Sequence, residues 1–140
     1  MSTAQAAGAV VVDTDVVSFL FRQDTRAQLY RPHLQGNVLM VSFMTIAEIE
    51  RWMLQRNWGP VRRADMEAHL DRFVTRPSTR TLCSIWAEVV TTAQRNGRPI
   101  AVADAWHAAT ALVRRAPLVT HNNADFEAIP GLTVITERTG

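Results

Sequence analysis

The chain contains no lysine, one cysteine and no long apolar run. All 15 of its basic residues are arginine, the side chain best suited to bidentate contacts with phosphate. The single cysteine, Cys83, excludes an internal disulfide, which is typical of proteins of the reducing cytoplasm. No apolar stretch approaches the roughly 20 residues that a membrane-spanning helix needs. We therefore expect a cytoplasmic protein without a membrane segment.

The length and composition indicate one globular domain. A chain of 140 residues that is 47% hydrophobic is long enough to bury a core without disulfide or metal crosslinks. Residues 1–8 are small and polar, and they lack the basic start and apolar centre of a signal peptide. We expect residues 1–8 to form a disordered tail and residues 9–137 to form the domain.

Short apolar runs alternate with segments of helical periodicity. The runs at 10–13 and 38–42 are continuous, which is typical of strands buried on both faces of a parallel sheet. Further strands are predicted at 81–83, 118–120 and 132–135, and helices at 16–21, 25–34, 45–56, 61–75, 84–95 and 100–115. This alternation predicts an α/β fold with a parallel central sheet of four to five short strands, covered by helices on both faces.

Four acidic residues stand where predicted strands and helices meet: Asp13, Glu48, Asp104 and Asp125. The carboxyl ends of parallel strands share one edge of the sheet, and ligands bind beyond that edge. Carboxylates brought together there repel one another, which raises their pKa values or recruits a cation. Ligation by oxygen atoms alone is typical of Mg²⁺ or Mn²⁺ and not of zinc. The sequence thus predicts a divalent-cation site.

Each acid also has an ordinary structural explanation. Asp13 can cap the helix that follows it, and Glu48 fits the last position of a capping box. Asp104 suits the N-terminal end of its helix dipole, and Asp125 can cap a short helix after it. The shared position of all four acids at strand-to-helix junctions favours one metal site over four separate caps.

The opening strand allows one competing interpretation. A buried strand that ends in Asp-x-Asp, as at Asp13 and Asp15, resembles the haloacid-dehalogenase phosphatases, whose first aspartate is the nucleophile. Receiver domains of response regulators also group acids at strand ends. Both classes normally need a lysine near the phosphoryl group, and this chain has none. A phosphomonoesterase is therefore the weaker alternative.

The acids lie within four segments with a recognisable pattern, at 11–15 (VVDTD), 42–49 (SFMTIAEI), 99–111 (PIAVADAWHAATA) and 118–126 (LVTHNNADF). Together these segments resemble the PIN-domain ribonucleases, and most closely the VapC toxins of bacterial toxin–antitoxin pairs. Two histidines depart from the family pattern. His121 stands where an arginine is usual, and it either contacts substrate or is satisfied within its loop. His107 stands where an apolar residue is usual, and we expect it to be a packed or surface residue.

The resemblance implies a metal-dependent endoribonuclease. Asp13, Glu48, Asp104 and Asp125 would be the catalytic residues that hold one or two Mg²⁺ or Mn²⁺ ions. A metal-activated water would attack the phosphodiester in line and leave 5′-phosphate and 3′-hydroxyl ends. The residues expected to orient carboxylates or waters are Thr14, Thr120, Asn122 and Asp15, of which Asp15 is alternatively a helix cap.

The resemblance also implies partners. These are an RNA substrate contacted by flanking arginines, a second copy in a homodimer, and a cognate antitoxin whose tail lies in a groove near the active site. Apolar residues of the early helices line that groove unless they pack the core, namely Phe19, Leu20, Phe21, Leu29 and Tyr30. A catalytically silent PIN-like module that only binds RNA or its partner is the remaining alternative.

Overall fold

Five parallel strands form one sheet in the computed structural model of the chain, which describes residues 8–139. The strands are β1 (Ala9–Val12), β2 (Val38–Ser42), β3 (Val74–Arg76), β4 (Leu118–Val119) and β5 (Val134–Ile135). Their order in the sheet is β3-β2-β1-β4-β5. The helices are α1 (Thr14–Arg22), α2 (Ala27–Leu34), α3 (Phe43–Gln55), α4 (Pro60–Leu70), α5 (Arg80–Arg95) and α6 (Val102–Arg114). The α/β fold and the parallel sheet predicted from the sequence are confirmed.

Helices cover both faces of the sheet, which explains the continuous apolar strands. Along β1, Val10 and Val12 belong to one hydrophobic core and Val11 to the other. The first core contains side chains from α1 to α4, and the second contains side chains from α5 and α6. Because successive residues of a strand point to opposite faces, every position of β1 must be apolar. Burial of each valine contributes about 1.5–3 kcal/mol.

The strand register brings several chain segments to one edge. Val11 pairs with Met40 of β2 on one side and with Leu118 of β4 on the other. All three strands run in the same direction, so the residues that follow them emerge together at the carboxyl edge. Asp13 follows β1, Ser42 ends β2, and Thr120 follows β4. This edge is where the acids were predicted to meet.

The prediction for the third strand was wrong. Residues 81–83 lie in the first turn of α5, where the Thr79 side chain caps the helix by accepting the backbone N–H of Leu82. The strand is Val74–Arg76, which pairs with β2 at the sheet edge. Phe73 and Val74 also fit the apolar spacing of α4, so the periodicity extended the predicted helix to residue 75. The helix ends at Leu70, and β3 begins at Val74 with two residues that favour strands, Val74 and Thr75.

Two expectations from the sequence remain, a disordered N-terminal tail and the lack of a membrane-spanning segment. The predicted disordered tail covers residues 1–8, of which 1–7 lie outside the described residues. The carbonyl of Gly8 accepts a hydrogen bond from the backbone N–H of Val38, at 2.9 Å. Within residues 8–139, no helix has the length and apolar character needed to cross a membrane.

Candidate metal centre at the carboxyl edge

Asp13 is the most buried acid of the site. It is the N-cap of α1, and its Oδ1 accepts the backbone N–H of Thr14 at 2.7 Å. Its Oδ2 accepts the hydroxyl of Thr120, also at 2.7 Å, across the gap between β1 and β4. Burial raises the pKa of Asp13, although the nearby His107 and the hydrogen bonds from Thr120 and Thr14 oppose that shift. Asp13 therefore both caps α1 and belongs to the acidic cluster.

Glu48 reaches the same edge from α3. The helix is capped by Ser42, so Glu48 does not form the capping box that its sequence position allows. Its Oε1 accepts the hydroxyl of Thr14 at 2.8 Å and lies 2.8 Å from Nε2 of His107. Burial acts to raise the pKa of Glu48, but the hydrogen bond and charge of His107 and the bond from Thr14 hold it below its ordinary value. Thr45, fully buried in α3, contacts the Thr14 hydroxyl at 2.9 Å.

Asp104 lies in the first turn of α6, at the same edge. Burial raises its pKa to about 7, and the negative charges of Asp13 and Asp125 add to this shift while His107 opposes it. Electrostatic coupling of this kind requires the three carboxylates to be neighbours. Asp104 thus lies within electrostatic reach of Asp13 and Asp125.

Asp125 is the exposed member of the group. It closes a short 3-10 turn (Asn123–Asp125), and its Oδ2 accepts an N–H of the Asn122 side chain at 2.5 Å. Residues 126–129 do not form an α-helix, so the alternative explanation of Asp125 as a helix cap is wrong. The apolar side chains that suggested that helix, Phe126 and Ile129, are instead buried in the second hydrophobic core.

Asp15 joins the start of α1 to the loop after β4. Its Oδ1 accepts the backbone N–H of Val16 at 2.7 Å, and its Oδ2 accepts that of His121 at 3.1 Å. Burial and the charge of Asp13 raise the pKa of Asp15 to about 7. Asp15 is therefore a half-buried neighbour of the cluster, with both oxygens held by backbone donors.

His107 is a member of the site that the sequence reasoning missed. It is fully buried on α6, with Nε2 at 2.8 Å from Oε1 of Glu48 and 3.7 Å from Oδ1 of Asp13. Burial acts to lower its pKa, but Glu48, Asp13 and Asp104 together raise it. One signal was present in the sequence, since His107 follows Asp104 by three residues and a helix places such residues on one face.

His121, the other departure from the family pattern, packs toward the early helices. Its Nδ1 lies 2.5 Å from the hydroxyl of Tyr30, and its ring packs edge-on against Phe19. Burial and the charges of Arg26 and Arg138 lower its pKa. The ring of His121 therefore has a hydrogen-bond partner in Tyr30 and a packing partner in Phe19, both on the early helices.

The carboxylate oxygens at this edge are chemically suited to bind a hard divalent cation. Within residues 8–139, no three His, Cys, Asp or Glu side chains converge closely enough to enclose a metal ion as they stand. Burial is the main cause of the raised pKa values of Asp13 and Asp104, and repulsion from neighbouring carboxylates adds to it. Oxygen donors with excess negative charge are the ligands that Mg²⁺ and Mn²⁺ prefer.

The fold and this edge define a parallel α/β domain with an acidic cluster at the carboxyl ends of its central strands. The family model described as PIN domain matches residues 10–132. The chain belongs to the PIN domain family, as its motifs predicted.

Known proteins similar to the chain carry VapC or VapBC names. Over 125 residues, it is 28% identical to Ribonuclease VapC1 of Haemophilus influenzae strain Rd, covering 87% of this chain and 92% of that protein. The fold matches VapBC-1 from nontypeable Haemophilus influenzae with a TM-score of 0.78 at 24% identity, over 91% of this chain and 97% of the other. It also matches VapBC-5 from Mycobacterium tuberculosis, with a TM-score of 0.68 and 26% identity over 94% and 99% of the two chains.

Proposed function

We propose that the chain is a metal-dependent endoribonuclease toxin that a cognate antitoxin inhibits. The observation that carries this proposal is that Asp13 and Glu48 meet around Thr14 and His107 at the carboxyl edge of a PIN domain. A relative that is 28% identical over most of both chains is named a ribonuclease. Folding alone does not require mutually repelling carboxylates at one edge, because each of them costs free energy when brought close to the others.

Asp13, Glu48, Asp104 and Asp125 are the residues that would hold Mg²⁺ or Mn²⁺. When bound, such a cation lowers the pKa of a water and screens the negative phosphate. The protein's own contribution is to fix the oxygens: Thr120 holds Asp13, and Asn122 holds Asp125. Outer hydrogen bonds of this kind orient metal ligands and tune their basicity.

RNA must reach an edge whose own charge repels it, so arginines beside the edge are needed. A cavity of about 220 Å³ adjoins Asp125 and is lined by Arg98, Asn96 and Ile100, among others. The Arg98 guanidinium lies 3.5 Å from the carbonyl of Ala124, the residue that precedes Asp125. We assign Arg98 to an RNA phosphate next to the scissile bond.

The antitoxin would bind the outer surface of the early helices. The Mycobacterium tuberculosis relative is described as a member of a family of toxin–antitoxin systems. Leu20 lines a cavity of about 530 Å³ that extends to Phe73 of the α4–β3 junction. Phe21 lines a neighbouring cavity, whereas Phe19 and Tyr30 are buried in the core and cannot be part of the groove. A homodimer is part of the same proposal, and light scattering of the purified chain tests it.

Cleavage of structured RNA by the purified chain and by Asp104→Asn tests the proposal. Wild type in Mn²⁺ should cleave the RNA, and a chelator or the substitution should abolish cleavage. Asp65→Asn, an exposed acid on α4, is the matched control and should retain it. If wild type and Asp104→Asn behave alike with saturating Mn²⁺ over several RNAs, the catalytic proposal fails.

The silent-module alternative gives a different result in a second measurement. A module that only binds RNA or a partner should show no Mn²⁺-dependent rise in unfolding temperature, whereas a metal-binding site shows one by mass action. A phosphomonoesterase would hydrolyse a small phosphomonoester, and the absence of lysine from the chain speaks against that activity.

A further inference from the structure

A buried histidine links three elements of the fold at the acidic edge. His107 of α6 lies 3.1 Å through Nδ1 from the hydroxyl oxygen of Ser42, which ends β2. Through Nε2 it lies 2.8 Å from Oε1 of Glu48, on α3. Its side chain is 1% exposed, so water does not compete for either contact. The imidazole therefore connects the start of α3 to a carboxylate farther along the same helix.

In the neutral imidazole ring of His107, the hydrogen-bond partners of Ser42 determine which nitrogen donates. Ser42 Oγ accepts the backbone N–H of Met44 at 2.9 Å, as the N-cap of α3. Its hydroxyl proton is therefore free to point at Nδ1 of His107, which then accepts. The neutral ring that accepts at Nδ1 carries its proton on Nε2, and this proton points at Glu48 Oε1. The protonated ring carries a proton on both nitrogens, so Nε2 donates to Glu48 Oε1 in either form.

The arrangement leaves the two oxygens of Glu48 in different environments. Oε1 receives the N–H of His107 and the hydroxyl of Thr14, both at 2.8 Å. Among residues 8–139, no protein donor contacts Oε2, and the Glu48 side chain is 30% exposed. One oxygen is fixed by the protein and the other is available to a ligand. An apolar side chain at position 107 would fill the same volume but would remove one of the two donors.

We propose that His107 is a positioning residue, which fixes Oε1 of Glu48 so that Oε2 is the oxygen offered to the divalent cation. This inference rests on the proposed function and adds a residue outside the four acids. It assigns a role to the Ser42–His107–Glu48 chain of hydrogen bonds, in which α6 supplies both Asp104 and the group that orients Glu48.

The test compares His107→Leu with His107→Gln. Leucine keeps the volume without a donor, and glutamine places an amide N–H near the position of Nε2. His69→Leu is the matched control, because His69 is half-buried on α4 and contacts the carbonyl of Val17, not an acid. Each protein is titrated with Mn²⁺ while its unfolding temperature is measured, and RNA cleavage is followed in parallel. Circular dichroism in chelator confirms that each variant is folded.

The expected result is a shift in metal affinity. His107→Leu should need about 10- to 100-fold more Mn²⁺ for its half-maximal rise in unfolding temperature, the usual cost of losing an outer-shell partner. His107→Gln should lie closer to wild type, and His69→Leu should match wild type. An unchanged Mn²⁺ midpoint in His107→Leu, or equal losses in Leu and Gln, would overturn the positioning role. A wild-type protein without any response to Mn²⁺ would instead overturn the metal site itself, and this inference with it.

Discussion

The hydroxyl of Thr120 donates a 2.7 Å hydrogen bond to Oδ2 of Asp13, between two residues that follow neighbouring parallel strands. Both side chains are buried, at 0% and 5% exposure, so the contact is sheltered from water. The Thr120 oxygen also accepts the backbone N–H of Asn122 at 2.9 Å. One hydroxyl thus ties the most buried acid to the loop that leads to Asp125.

Thr120→Val should weaken both stability and cleavage. The substitution keeps the shape but removes a donor to a buried carboxylate, which costs about 1–3 kcal/mol of unfolding free energy. Thr110→Val is the matched control, since Thr110 is equally buried and bonds only the carbonyl of Trp106 within α6. Urea unfolding and RNA cleavage measure the two effects. Loss of cleavage in Thr110→Val to the same extent would show that buried hydroxyls matter only for folding.

Stability without metal should fall as pH rises from 5 to 8. The pKa values of Asp15 and Asp104 rise from 3.8 when unfolded to about 7 when folded. A raised folded pKa stabilises the protein fully below the unfolded value, and this contribution is lost as pH rises through about 7. The raised pKa of His107 acts in the same direction, with its loss above its folded value.

Urea unfolding in chelator across that pH range measures this slope. Asp104→Asn should flatten it, because the amide does not titrate, and the difference between the two proteins cancels the other groups. Saturating Mn²⁺ should flatten the wild-type slope as well, since the cation favours the ionised carboxylates. Parallel curves for wild type and Asp104→Asn would contradict the raised pKa of Asp104.

Glu48→Gln should lower cleavage by at least about tenfold, since it removes the carboxylate charge from the cluster. Glu50→Gln is a sharp control, because Glu50 lies two residues along α3, is exposed and faces away from the edge. Cleavage by Glu50→Gln should equal that of wild type. Equal activities of all three proteins would remove Glu48 from the site.

Arg98→Gln should weaken RNA binding more than it lowers the turnover number. One lost phosphate contact reduces the dependence of log affinity on log salt by about one unit. Arg80→Gln, an exposed arginine at the start of α5, serves as the control. Fluorescence anisotropy with labelled RNA, in an Asp104→Asn background to prevent cleavage, measures both slopes. Identical slopes for the two arginine variants would refute the phosphate contact assigned to Arg98.

The sequence predicted the fold and the position of the acids because both depend on local patterns. The apolar run of β1 reveals burial on two faces, and Asp13 directly after it marks the carboxyl edge. The edge strand β3 was misassigned because its three residues, two of them exposed, have too little periodicity to outweigh the adjoining helix.

The contacts of His107 could not be predicted from the sequence for a different reason. Its partners Ser42 and Glu48 are 65 and 59 residues away along the chain, so their contact arises only when α6 packs against α3 and β2. The spacing of His107 from Asp104 places both on one face of α6, but it does not identify Ser42 and Glu48 as the partners. The same holds for Thr14, whose contact with Glu48 spans 34 residues.

The position of a bound cation tests the account most directly. Crystals of the wild-type chain soaked in Mn²⁺ should show an anomalous scattering peak at the carboxyl edge, at about 2.1 Å from oxygens of Asp13 and Asp104. Such a peak would establish the acidic cluster as the metal centre of the nuclease. Well-ordered crystals at saturating Mn²⁺ with no peak at this edge, or with a peak only elsewhere, would contradict it.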